Sequence, residues 1–176
     1  MVKLTIDGIQ VEAEKGTSIL HAAESVGIEV PTLCYIKDLL PDGSCRMCMV
    51  EIESRGRTKM ETACTAQVAE GLVVTTNSEK VRNARRNILD MLLSNHKTDC
   101  FSCPSNGDCK LQELCFEYGI ERTTYSGEQT ELPIDDSNKF FTYNPNLCIL
   151  CHRCVNTCHK IVGRGAIDTM ERGFDS

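Results

Sequence analysis

Alternating apolar and polar positions open the chain and predict two short strands joined by a tight turn. The strands cover residues 2–6 and 10–13, with Asp7 and Gly8 between them. Asp-Gly suits a two-residue hairpin because both turn positions take a positive φ. The same alternation, interrupted by turn residues, predicts three further strands at residues 49–53, 59–63 and 72–75.

Apolar residues at helical spacing predict three helices. The first runs from a cap at Thr17 or Ser18 to Val26, the second from Ser78 to Asn95, and the third over 109–118. The second helix has an apolar stripe formed by Val81, Ala84, Ile88, Leu89, Met91 and Leu92. Its arginines are expected to face outward, as a solvated face or as a docking surface for an acidic partner: Arg82, Arg85 and Arg86.

Composition narrows the class of protein. The chain has 176 residues, a net charge of −6, few aromatic residues and twelve cysteines. The negative charge argues against nucleic acid as a partner. Neither a secretory h-region nor a run of about 20 apolar residues occurs, so we expect a cytoplasmic protein without direct membrane insertion. Disulfides are rare in that compartment, which leaves metal binding as the use of the thiols.

Eleven of the cysteines and one histidine fall into three groups with metal-ligand spacing. The groups are Cys34, Cys45, Cys48 and Cys64 (C-x10-C-x2-C-x15-C); His96, Cys100, Cys103 and Cys109 (H-x3-C-x2-C-x5-C); and Cys148, Cys151, Cys154 and Cys158 (C-x2-C-x2-C-x3-C). Structural zinc would suit the C-x2-C pairs locally. The ten-residue gap and the last run favour iron–sulfur clusters, because the last run has the spacing of bacterial ferredoxins.

The third group departs from the ferredoxin pattern in two ways. His159 stands where proline usually follows the fourth cysteine, and no later cysteine supplies a second run. The fourth ligand of a third [4Fe–4S] cluster therefore stays open between Cys158, Cys115 and a partner chain. Cys115 itself is expected to be a packing residue, with a role as a spare ligand as the alternative.

Short motifs around the first two groups resemble a known family. They are PTLCY at 31–35, GSCRMC at 43–48, ETAC at 61–64 and NGDCKLQ at 106–112. The chain resembles the N-terminal iron–sulfur region of [FeFe]-hydrogenases, of NAD(P)-linked formate dehydrogenases and of the large iron–sulfur subunit of NADH dehydrogenase. The resemblance implies a plant-type [2Fe–2S] cluster on the first group and a [4Fe–4S] cluster with one histidine and three cysteine ligands on the second.

The expected fold class is α+β with small metal-stapled domains. Residues 1–77 form a β-grasp [2Fe–2S] ferredoxin domain and 78–120 a helical histidine-containing [4Fe–4S] domain. Residues 121–142 are a connection, and 143–176 form a partial bacterial-ferredoxin-like [4Fe–4S] segment. The final residues, 172–175, resemble the interior of longer homologues, so the chain is either a short subunit or a fragment.

The resemblance implies an electron-relay module of a multi-subunit oxidoreductase. Its partners would be a flavin- and NAD(P)-binding subunit and further iron–sulfur or catalytic subunits. The sequence contains no Gly-rich nucleotide loop and no catalytic cluster motif, so substrate chemistry would lie elsewhere. Alternatives are the N-terminal fragment of a longer [FeFe]-hydrogenase or formate dehydrogenase chain, a structural zinc adaptor, and a free ferredoxin-like shuttle.

Overall fold

The computed structural model describes residues 1–129 and 131–171. The chain divides into two compact units, Met1–Ile88 and Leu89–Ser176. Residues 172–176, which end the predicted ferredoxin-like segment and contain the motif compared with longer homologues, lie outside the described residues.

The first unit is built on a mixed five-stranded sheet. Its strands are β1 (Val2–Ile6), β2 (Ile9–Ala13), β3 (Met49–Ser54), β4 (Arg57–Thr62) and β5 (Leu72–Thr75). The order across the sheet is β2-β1-β5-β3-β4, with β1 and β5 parallel and the other pairs antiparallel. This sheet, with helices packed on it, confirms the predicted α+β class and β-grasp unit.

Two hairpins of the sheet close through turns with positive φ at both central residues. Asp7 and Gly8 have φ of 47° and 84°, and Arg55 and Gly56 have φ of 51° and 70°. The first turn has a second role, because the Asp7 carboxylate accepts a 2.8 Å hydrogen bond from the backbone N–H of Thr76. The turn therefore holds the end of β5 beside β1.

The first helix is shorter than predicted. α1 covers Ile19–Glu24, with Ser18 as the N-cap whose hydroxyl accepts a 3.2 Å bond from the His21 N–H. Its apolar side joins the core under the sheet, where Ile19, Leu20 and Ala23 are buried. Much of the rest of that core comes from the strands and from two cysteines: Leu4, Ile6, Val11, Val50, Ile52, Val74, Cys48 and Cys64.

The second helix, α2 (Glu79–Ser94), shows that the predicted outward face was wrong for one arginine. Arg85 is only 3% exposed and donates a 2.8 Å bond from its guanidinium to the Met49 carbonyl, whereas Arg82 and Arg86 are exposed. The buried line of the helix is Val81, Arg85, Leu89 and Leu93, with a spacing of four. Met91, which was expected in the stripe, is 54% exposed.

Removing the buried guanidinium should destabilise the first unit more than removing an exposed one. Arg85→Met is expected to lower the free energy of unfolding by about 2 kcal/mol, because the Met49 carbonyl loses a charge-assisted donor. Urea titration of the cluster-loaded protein measures the change. Arg86→Met is the control and should shift the midpoint little, so equal midpoints for both variants would contradict a role for the buried bond.

In the second unit, α3 (Lys110–Glu117) ends in a well-formed C-cap. Gly119 has φ of 64°, its N–H donates to the Phe116 carbonyl, and the Ile120 N–H donates to the Cys115 carbonyl at 2.8 Å. These two bonds form a Schellman motif, which fixes the backbone of the last turn. The short elements that follow are a 3-10 turn at Pro145–Leu147, α4 (Arg153–Asn156) and a π-helical turn at Thr157–Val162.

The connection after α3 is bonded back to neighbouring elements of the second unit. The Asp90 carboxylate accepts a 2.8 Å bond from the Thr124 N–H. Further along, the side chain of Asn146 both donates to and accepts from the backbone of Leu132, at 2.8 and 2.9 Å. The polar composition of this segment therefore serves hydrogen bonding to the adjacent elements. Within residues 1–129 and 131–171, every helix is too short or too polar to span a bilayer.

Candidate metal centres

The β3–β4 hairpin brings two of the predicted [2Fe–2S] ligands into contact. Cys48 directly precedes β3 and Cys64 follows β4, and the Ala63 N–H donates to the Cys48 carbonyl at 2.9 Å. The two sulfurs are 3.3 Å apart, and both residues are almost fully buried. Because the strand register fixes this pair, the fold itself brings together two of the four predicted ligands.

The other two predicted ligands lie in the loop between α1 and β3. The backbone N–H of Cys34 lies 3.4 Å from the sulfur of Cys45, and the N–H of Met47 lies 3.5 Å from the same sulfur. N–H groups directed at ligand sulfurs stabilise their negative charge and help to set the potential of an iron–sulfur centre. Arg46, between Cys45 and Cys48, has φ of 58°, a left-handed conformation that turns the loop around the site.

The electrostatics of the first site show that its four thiols act on one another. The hydrogen bond between Cys45 and Cys34 lowers the pKa of Cys34, and the hydrogen bond between Cys48 and Cys64 lowers the pKa of Cys48. The bond to Cys34 and burial raise the pKa of Cys45, and the bond to Cys48 and burial raise the pKa of Cys64. Four sulfurs in one buried place therefore cannot all be anionic without cations to neutralise them, and bound iron would do this.

The backbone before Cys45 is closely packed. Gly43 has φ of 65°, and a Cβ at this position would lie 3.2 Å from the Thr65 methyl group. Only glycine meets both conditions without strain. The sequence motif GSCRMC is therefore explained by conformation and space at its first residue.

The second predicted ligand set lines a single cavity of about 450 Å³ in the second unit. Its walls include His96 at the end of α2, the loop that carries Cys100 and Cys103, and Cys109 at the start of α3. Cys115, which was expected to be a packing residue, lines the same cavity.

The surroundings of His96 favour the neutral imidazole, which can donate a nitrogen lone pair to a metal. Burial lowers its pKa, with backbone groups of Lys97 and Leu147 partly opposing the shift. Its Nδ1 atom is buried, and no partner for it occurs among the residues that the structure describes. A buried nitrogen without a partner is costly, and an iron atom would remove that cost by accepting the lone pair.

Gln112 holds the loop that leads to Cys109. Its amide oxygen accepts a 3.0 Å bond from the Gly107 N–H, and its amide nitrogen donates to the Asn106 side chain at 3.0 Å. Gly107 has φ of 83°, so the loop turns sharply there. The sequence alone did not identify this clamp, although the glutamine belongs to the NGDCKLQ motif.

Loss of this clamp should weaken the second site without removing a ligand. In Gln112→Ala, the loop loses two hydrogen bonds worth about 1–3 kcal/mol together, and we expect the [4Fe–4S] signal to decay several-fold faster in air. The decay of the visible absorbance measures this. Glu113→Gln, which breaks only the exposed ion pair with Lys110, should decay like the wild-type protein. Identical decay of both variants would contradict the role of the clamp.

The third predicted set lies on a turn followed by a helix. Cys148 follows the 3-10 turn, Cys151 lies between that turn and α4, Cys154 is in α4, and Cys158 is in the π-helical turn. Cys148 and Cys154 are exposed, whereas Cys158 is buried and its sulfur accepts a 3.2 Å bond from the Ala166 N–H. The structure therefore gives Cys158 an environment different from those of the three cysteines before it.

The turns between these cysteines have a conformation that the sequence did not reveal. Leu150 and His152, one in each C-x2-C interval, have φ of 52° and 59°. The Leu150 N–H lies 3.4 Å from the Cys148 sulfur. Left-handed residues in such turns expose backbone N–H groups in a concave surface, which attracts anions such as a sulfide cluster.

The donor chemistry of these sites fits iron–sulfur clusters. Thiols predominate, backbone N–H groups face sulfurs in the first and third sites, and a buried imidazole nitrogen needs a partner in the second. Across residues 1–129 and 131–171, no three His, Cys, Asp or Glu side chains are close enough to hold a single metal ion. Cluster ligands bind different iron atoms and need not converge on one point.

Fold and sites together define an iron–sulfur protein. Comparison with protein families agrees: a 2Fe-2S iron-sulfur cluster binding domain matches residues 1–79, and the NADH-ubiquinone oxidoreductase-G iron-sulfur binding region, a [4Fe–4S] domain, matches residues 85–124. Binding of both cluster types is therefore supported, and the predicted recognition and function class are confirmed.

Individual relatives are similar along the whole chain. A subunit of the NADH-quinone oxidoreductase of Rhizobium meliloti is 42% identical over 178 residues, which are 100% of this chain and 21% of the relative. The NADPH-Fe(3+) oxidoreductase subunit alpha of Geobacter sulfurreducens is 42% identical over 173 residues, 98% of this chain and 20% of the relative. The chain thus spans about a fifth of the length of these curated relatives.

One solved structure contains a similar chain whose length is closer to that of this protein than the lengths of the two curated relatives are. In the NAD+-reducing [NiFe]-hydrogenase in the H2-reduced state, one chain superposes with a TM-score of 0.89 and 31% identity, over 99% of this chain and 72% of that one. The protein belongs to this family of iron–sulfur electron-transfer chains of NAD(P)-linked oxidoreductases.

Proposed function

We propose that the chain carries single electrons through three clusters, between a flavin- and NAD(P)-binding partner and a second redox centre. The proposed ligand sets are those predicted from spacing: Cys34, Cys45, Cys48 and Cys64 for [2Fe–2S]; His96, Cys100, Cys103 and Cys109 for [4Fe–4S]; and Cys148, Cys151, Cys154 and Cys158 for a second [4Fe–4S]. The clusters supply the one-electron chemistry, and the residues of the chain hold them and tune their potentials.

The observation that carries this proposal is the cavity around His96. Three predicted thiol ligands and a half-buried imidazole line one cavity, and the buried Nδ1 of that imidazole has no partner among the described residues. The crowded thiols of the first site support the [2Fe–2S] assignment in the same way. The third site rests on the ferredoxin spacing and on the two left-handed turns at Leu150 and His152.

The proposed flavin- and NAD(P)-binding partner is inferred from the names of the relatives. The three proteins compared above carry NADH, NADPH or NAD+ in their names, and two of them are described as subunits. Because this chain spans only part of the curated relatives, the reaction of the whole protein is proposed only as NAD(P)-linked oxidoreduction. Twelve unbridged cysteines favour a reducing compartment, so we propose a cytoplasmic location.

The test is a count of iron and sulfide in protein produced anaerobically with ample iron and sulfur. Three clusters predict about ten iron atoms per chain, against about six if the third site does not bind a cluster. EPR spectra after dithionite reduction should show both cluster types. A colourless preparation that contains zinc would contradict the proposal and favour a structural adaptor. The mass of the native assembly and the chains that purify with it test the proposed partner.

A further inference from the structure

Cys115 is the one cysteine outside the three proposed ligand sets. It lies on α3, is 8% exposed, and follows Cys109 by six residues. On the same helix, Leu111 and Leu114 are also buried. Burial alone would be explained by packing, since an unreactive cysteine behaves as a small apolar side chain.

The position of Cys115 indicates more than a packing role. It lines the cavity that also contains His96, Cys100 and Cys109. Burial, together with the nearby charges of Cys100 and Cys109, raises its pKa to about 11. The thiol is therefore within electrostatic reach of two proposed ligands, and it stays protonated at neutral pH when no metal is bound to it.

The backbone of Cys115 is held by the C-cap of α3. Its carbonyl accepts the 2.8 Å bond from the Ile120 N–H in the Schellman motif, and Gly119 supplies the left-handed residue that this motif requires. The opposite end of the helix begins at Cys109. One rigid helix of eight residues therefore presents one proposed ligand at its start and a second thiol near its end, both on the cavity wall.

We propose that Cys115 is a reserve ligand of the second cluster, which binds the iron atom that His96 releases. This inference rests on the proposed [4Fe–4S] assignment of the cavity. The exchange breaks one iron–nitrogen bond and forms one iron–sulfur bond, and the Cys115 proton passes to solvent. No electron moves in this step. Because a thiolate replaces a neutral imidazole, the site becomes one unit more negative and its reduction potential falls.

The experiment compares the wild-type chain with His96→Ala, Cys115→Ala and the double variant, all reconstituted anaerobically in buffer without added thiol or imidazole. Iron per chain, the EPR spectrum and the midpoint potential are measured. Cys115→Ala should match the wild type in iron content. His96→Ala should keep a [4Fe–4S] cluster at this site, with a lower potential. The double variant should lose iron from the site, up to about four atoms per chain, and lose this EPR signal.

Two results would overturn the inference. The first is a His96→Ala variant that already loses the cluster, since Cys115 then does not replace the imidazole. The second is a double variant with the same iron content and potential as His96→Ala, since water or buffer then fills the position. A wild-type chain without any [4Fe–4S] cluster at this site would instead contradict the proposed function, so the two failures are distinguishable.

Discussion

Replacing Cys48 with serine should abolish the [2Fe–2S] signal and remove about two iron atoms per chain, while the [4Fe–4S] signals persist. Two physical effects act together. A buried serine oxygen is a poorer ligand for iron than a thiolate, and Cys48 is also a core residue, 1% exposed and in contact with the sulfur of Cys64 at 3.3 Å. The hydroxyl group would be buried without a suitable partner, which costs about 1–3 kcal/mol. Iron analysis and EPR measure the first effect, and urea titration the second.

The matched control is Met47→Leu, the residue beside Cys48. Met47 is fully buried, and its contribution to the site is a backbone N–H directed at the Cys45 sulfur, which the substitution keeps. A swap that conserves volume in a core usually costs less than about 1.5 kcal/mol, so the [2Fe–2S] signal should remain. If Cys48→Ser kept the signal while Met47→Leu lost it, loop packing and not ligation would explain the first site.

Most of the first unit was predictable because its signals are local. The Asp7-Gly8 turn sets the first hairpin, and the observed strand β5, Leu72–Thr75, agrees with the predicted bounds. The sequence signal for α1 was also local, but the helix ends two residues earlier than predicted, at Glu24, with Ser25 as its C-cap. Apolar periodicity marked the position of the helix, whereas the end was decided by capping bonds that periodicity does not describe.

The arginine at position 85 was placed wrongly because charge was used to choose the outer face of α2. A spacing of four places Arg85 on the same line as Val81 and Leu89, and that line is buried. The charge is tolerated there because the guanidinium donates to the Met49 carbonyl across the unit. A long side chain can bury its stem and satisfy its head only where such an acceptor is available, and this acceptor is distant in sequence.

Motif spacing identified positions for the candidate sites but not the backbone around them. Leucine rarely adopts a positive φ, so the residue type at position 150 did not indicate the left-handed turn, although histidine at position 152 is a type that adopts this conformation more often. The bonds of Gln112 to Asn106 and Gly107 depend on the direction of α3 relative to the loop. Such features depend on the path of the backbone between the cysteines, and a linear pattern of cysteines contains no information about that path.

Exchanging the histidine ligand for a thiolate should lower the potential of one cluster only. In His96→Cys, the proposed [4Fe–4S] site gains one unit of negative charge, so its reduced state becomes harder to reach. Histidine-for-cysteine replacement in Rieske centres raises the potential, which suggests a fall here on the order of 100 mV. A dithionite redox titration followed by EPR measures the shift, and the [2Fe–2S] midpoint should stay constant.

The control variant makes the protein more negative by the same one unit of charge but keeps His96 as the proposed ligand. Lys97→Gln removes one positive charge beside His96, but Lys97 is exposed, and its partner Glu131 is also exposed. Solvent and salt screen a charge at such a position, so this variant should shift the midpoint only slightly. A shift of equal size in both variants would mean that general electrostatics, and not ligation by His96, sets the potential. An unchanged midpoint in His96→Cys, with full iron content, would contradict the assignment of this imidazole to the cluster.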